Sequence, residues 1–126
     1  MRIVLLFLFQ FSLLGYAQTL EQSIKSLEPL TDSAQADSMA RLSRISAIND
    51  LPEIGIQQAK WSLNKAKQID NKAIVAFARF YIARNFNQNS ETDSALVNYL
   101  KALEEIKGTK YDVFEIYILS ALGNNY

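Results

Sequence analysis

The segment Ile82-Ala83-Arg84-Asn85-Phe86 returns 40 residues later as Leu122-Gly123-Asn124-Asn125-Tyr126, and Ala59 and Ala66 return 36 residues later as Ala95 and Ala102. A period of this length marks supersecondary units repeated along a chain. One such unit cannot bury its own apolar faces, so neighbouring copies must stack and share a core. With only two prolines and four glycines in 126 residues, the copies are expected to be helical, since a turn-rich β fold needs more punctuation.

The first residues carry a separate signal. Met1-Arg2 supplies a positive charge, Ile3 to Leu14 is apolar apart from Gln10 and Ser12, and Gly15-Tyr16-Ala17 places small residues at cleavage spacing. This pattern predicts a secretory signal peptide over 1–17, cleaved after Ala17. The apolar run is about 12 residues, short of the roughly 20 that a spanning helix needs. The expected product is exported across the inner membrane, periplasmic or secreted, with no membrane span left after cleavage.

Charge and composition then exclude several classes. The chain has 13 basic and 13 acidic residues, and loss of Arg2 leaves the mature chain close to neutral. A nucleic-acid binder shows an excess of Lys and Arg, so no nucleic-acid partner is expected. Cysteine is absent, so apolar packing rather than disulfides must hold an exported chain together.

Helix signals recur throughout the mature chain. Thr19 caps a lead-in helix bearing Leu20, Ile24 and Leu27, which stops at Glu28-Pro29. Thr31-Asp32-Ser33 offers capping oxygens to a second helix with Met39, Leu42, Ile45 and Ile48 as its apolar face. A third runs from about Glu53 to Ile69, and Lys60, Asn64, Lys67 and Gln57 mark its wet side. The fourth, about Lys72 to Asn87, is apolar nearly all round and is expected at the centre. Ser90 and Asp93 are expected to cap a fifth helix carrying Ala95, Tyr99, Ala102 and Ile106, closed by Gly108. A sixth helix follows from Asp112.

Small residues recur where helices must approach: Ala47, Ala83 and Gly123, then Ala59 and Ala95, then Ala66 and Ala102. Phe86, Tyr99 and Tyr126 fill the spaces between them. This arrangement resembles the tetratricopeptide repeat, whose first helix pairs a small residue with an aromatic three positions on, and whose second carries alanine, aromatic and alanine. Ala83, Phe86, Ala95, Tyr99 and Ala102 match in the best copy. Ala47, Ala59, Leu63 and Ala66 match in the copy before, where Asp50 replaces the aromatic. The family period is about 34 residues, and the longer spacing here is similar to that of extracytoplasmic regions of some bacterial signalling proteins. The resemblance implies an all-α fold over 37–126: antiparallel hairpins stacked as an α-solenoid, about two full repeats plus the first helix of a third, incomplete at the C-terminal end. Residues 18–36 form a lead-in helix and linker.

Chemistry is sparse. The chain has no His and no Cys, which removes the commonest general base, the thiol nucleophile and the usual zinc ligands. Glu104 and Glu105 are adjacent on a helix and point apart. Ser33, Ser38, Ser43 and Ser46 lack a partner base and read as caps and surface. No enzymatic role, catalytic set, metal site or cofactor is expected.

The resemblance implies that first helices line a concave face on which ligands lie. The facing positions are Phe77, Phe80, Arg84 and Asn87, with Arg41 and Arg44 in the preceding copy and Tyr117, Ser120 and Asn124 in the following one. Arginine grips carboxylates with paired hydrogen bonds, and aromatic rings supply apolar pockets. The expected partner is a protein or peptide segment carrying acid. Two functions fit: an interaction module of an exported or membrane-linked protein, as the input region of a longer signalling protein, or a free-standing secreted helical accessory protein.

Overall fold

The computed structural model describes residues 19–107, 109–110 and 112–124. The expected leader at 1–17 and the closing Gly108 lie outside the described residues. All regular structure among the described residues is helical: α1 (Leu20–Leu27), α2 (Asp32–Ile48), α3 (Pro52–Gln68), α4 (Lys72–Gln88), α5 (Thr92–Ile106) and α6 (Asp112–Asn124). From α2 onward the helices start at residues 32, 52, 72, 92 and 112, one every 20 residues.

Local chemistry sets these starts. Gln22 N donates to Thr19 Oγ1 at 3.2 Å and Thr19 N donates to Gln22 Oε1 at 2.9 Å, a reciprocal cap on α1. Thr31 caps α2, and Pro52 opens α3, where its missing N–H costs nothing. The ends of α2, α3 and α4 share one device. Asp50, Asp70 and Ser90 turn left-handed at φ 58°, 53° and 61°. The next amide then reaches back five residues: Leu51 to Ser46 O at 2.8 Å, Asn71 to Ala66 O at 2.9 Å, Glu91 to Phe86 O at 2.8 Å. Identical turns after 17-residue helices produce the even spacing. Ser90 is therefore a turn residue rather than the expected cap, and the N-cap of α5 is Glu91, with no side-chain bond.

Helices α2 and α3 run antiparallel, since Ser43 Oγ donates to Gly55 O at 2.7 Å while Ser62 Oγ donates to Ala36 O at 2.6 Å. Helix α4 packs on α2, α3 and α5, the central place expected for it, and α6 packs on α5. The expected apolar face of α2 is corrected: Ile45 is 51% and Ile48 62% exposed, and the buried face is Ala36, Met39, Ala40, Ser43, Ser46 and Ala47. Small side chains bring helix axes close, and hydroxyls that find carbonyls can be buried there. Ser43 and Ser46 are thus interior groups rather than surface ones.

The even spacing also corrects the repeat register. Helices α2 and α4, and α3 and α5, start 40 residues apart, so Ser43, Gly55, Ala59 and Ser62 correspond to Ala83, Ala95, Tyr99 and Ala102. The 36-residue match of Ala47 with Ala83 and Ala59 with Ala95 is a slip of four residues, about one helical turn. Such a slip keeps the same helix face, which is why small residues line up at both offsets, alanine on alanine at 36 and Ser43, Gly55 and Ser62 on alanine at 40.

Asn85 joins α4 to the first hairpin. It is fully buried, and its Nδ2 donates to Tyr81 O at 2.8 Å, Ser43 Oγ at 3.0 Å and Ser43 O at 3.2 Å. Its Oδ1 and Cγ occupy the space into which a β-carbon on Gly55 would project. Gly55→Ala is accordingly expected to destabilise the fold by about 1–3 kcal/mol. The same change in an Asn85→Ala background should cost much less, because the space is then vacant; urea unfolding of the four proteins measures both effects.

Candidate functional site

A concavity of about 300 Å³ lies between α4, α5 and α6, lined by Phe80, Arg84, Asn87, Tyr99, Tyr117, Ser120 and Ala121. It exists because the described part of α6 leans on α5 without the close packing on α4 that α4 makes on α2. The register supplies the reason. At the α2–α4 seam the Asn85 amide lies over Gly55 and bonds Ser43. Forty residues on, Ala95 and Ala83 hold those two places, with a β-carbon where Gly55 has none and no hydroxyl where Ser43 has one.

Five of the residues expected to face a ligand meet here: Phe80, Arg84 and Asn87 from α4, Tyr117 and Ser120 from α6. Phe80 is also core, with its ring 5.5 Å from Tyr99 and 5.4 Å from Tyr81. Phe77 is half-buried against the same cluster and does not line the concavity. Arg41 and Arg44 stand exposed on α2, also outside it. Arg41 Nε pairs with Asp37 Oδ2 at 3.1 Å. The side chain of Asn124 lies outside the described residues.

Electrostatics nevertheless ties the three arginines together. Burial raises the Tyr81 phenol above its ordinary value, and Arg44, Arg84 and Arg41, in that order, pull it back. All three cations therefore act on one phenol. Tyr99 is raised by burial as well, opposed by Arg84 and by Asn87, whose Nδ2 donates to Tyr99 Oη at 3.4 Å. Tyr99 and Ala121 complete the lining and were not expected there. Tyr99 reads in sequence as second-helix core, which it is at 2% exposure, and it lines the concavity as well. The groups that converge are a guanidinium, an amide, two phenols and an alcohol, a set suited to recognition.

Among the described residues no helix is long and apolar enough to cross a membrane. Comparison with protein-family models, curated proteins and solved structures gives no match.

The tyrosines set an alkaline limit. A phenol whose pKa is higher folded than unfolded holds its proton longer in the native state, so its contribution is complete below the ordinary value of 10.0 and is lost as pH rises through the folded value. The melting temperature should fall as pH is raised past about 10, and the fall should be shallower in Tyr99→Phe. Melting curves over that range, with phenolate absorbance followed in parallel, check the sign.

Proposed function

We propose that this chain is a non-catalytic interaction module of the tetratricopeptide kind. Its hairpins stack as an α-solenoid of about two repeats and the first helix of a third. It belongs to an exported or membrane-linked protein, as the input region of a longer signalling protein. The even 20-residue spacing of helices supports repetition, and Ala83, Ala95, Tyr99 and Ala102 are buried in one cluster as the resemblance requires.

The observation that carries the binding reading is the concavity itself, where residues from α4 and α6 surround an open volume of about 300 Å³ with Arg84 on its wall. Its occupant is an acidic protein segment: an apolar side chain enters against Phe80 and Tyr117 while a neighbouring carboxylate pairs with Arg84. A second reading, a secreted helical accessory protein packed on one partner, draws on the exposure of Leu100, Ile116 and Leu119.

Fluorescent peptides of equal length and acidic, neutral or basic composition test the choice by polarisation. Acidic peptides should bind best, and Arg84→Glu should weaken them about tenfold or more, as the loss of a charge-assisted bond implies. Binding unchanged in Arg84→Glu, with an intact helical spectrum, contradicts the groove.

A further inference from the structure

A second cavity, of about 500 Å³, opens between the start of α4 and the end of α5. It shares no lining residue with the groove and does not depend on that reading. Among the described residues its wall holds no apolar side chain. Lys72 and Arg79 come from α4, Lys101 and Glu105 from α5, and Lys107 and Thr109 from the turn beyond. With Glu104 included, four cations face two carboxylates in a chain whose basic and acidic residues are equal in number.

Arg79 is the key group. Its side chain keeps only 14% exposure, and its buried Nε has no hydrogen-bond partner among the described residues. The facing carboxylate oxygen, Glu105 Oε1, stands 4.0 Å from it, too far for a hydrogen bond. A guanidinium presents five N–H donors in a rigid fork, and a sealed donor left unmet is costly. Glu105 is itself 35% exposed and divides its charge between water and the cations around it. The part of the Arg79 fork that stays accessible in the cavity can donate parallel N–H bonds to an oxyanion. Lys72, Lys101 and Lys107 would add a positive field at the cavity mouth, reinforced by the positive end of the α4 dipole.

We propose that this cavity binds a small, multiply charged oxyanion, a phosphate or a compact polycarboxylate, gripped by Arg79. The volume suits a small molecule. Glu105 is the internal competitor for the same guanidinium, which separates a ligand site from a plain ion-pair network. In a ligand site, neutralising Glu105 strengthens anion binding.

Titration of the full chain with inorganic phosphate and, separately, with citrate tests this at ionic strength held constant by sodium chloride. The readouts are the Arg79 Nε–H and the Lys72 and Thr109 amide resonances. One of the two anions should produce saturable shifts, and the stronger of them identifies the ligand class. Arg79→Gln should weaken that binding at least tenfold, and Glu105→Gln should strengthen it several-fold. Lys101→Gln, an exposed change that spares the fold, should weaken it several-fold and decides the matter if Arg79→Gln does not fold. Arg84→Glu should leave it unchanged, so this site and the groove stand or fall separately. Non-saturable shifts with both anions overturn the proposal. So does affinity unaffected by Lys101→Gln, or lowered by Glu105→Gln.

Discussion

The carboxamide of Asn85 resting on Gly55 is the contact on which the arrangement of the first four helices depends. It brings α4 against α2 and α3 at once, with Nδ2 bonded to Ser43 and Tyr81 and Oδ1 set where residue 55 lacks a side chain. No other residue at position 55 leaves that space, and a buried amide without its carbonyl and hydroxyl partners would be strongly unfavourable. The same polar seam continues outward. Ser46 Oγ donates to Gln58 Oε1 at 2.7 Å, and Gln58 Nε2 donates to Ser23 Oγ at 3.1 Å, which fastens the lead-in helix α1 to the hairpin. The first hairpin is thus closed by small residues and directional bonds.

The second hairpin is closed differently, and the contrast creates the groove. Ala83, Ala95 and Tyr99 replace Ser43, Gly55 and Ala59 forty residues on, so ring packing of Phe80 on Tyr99 takes over from hydrogen bonds. Ala95 carries a β-carbon where Gly55 has none, which takes up the space that the Asn85 carboxamide uses on the other side. What is lost in packing appears as a concavity with Arg84, Asn87 and two phenols on its wall. The concavity therefore sits where the second pair of helices departs in sequence from the first.

Much of this was legible in the sequence because it is encoded locally. Thr19, Thr31 and Pro52 announce helix starts through their own backbone and side-chain chemistry, and the wrap-around apolar character of α4 gives its central position. Counting turns from Ala83 gave Phe80, Arg84, Asn87, Tyr117 and Ser120, which line the concavity, and also Phe77, which does not. The 40-residue register escaped, since residues four apart occupy the same face and the alanine-on-alanine match at 36 masked the pairing of Ser43, Gly55 and Ser62 with alanines at 40. The burial of Ser43 and Ser46 escaped because their acceptors, Gly55 O and Gln58 Oε1, are set by tertiary pairing. Arg41 and Arg44 fall outside the concavity for a related reason: α2 is already closed against α4 by Asn85, whose buried role nothing in the local run Arg84-Asn85-Phe86 betrays.

The most direct measurement is the nuclear magnetic resonance signature of the Asn85 side-chain amide. The account predicts two amide protons shielded from solvent exchange, with cross-relaxation to the α-protons of Gly55 and to Ser43. A rapidly exchanging Asn85 amide with no cross-peak to either residue would contradict it, and with it the 40-residue register and the origin of the groove.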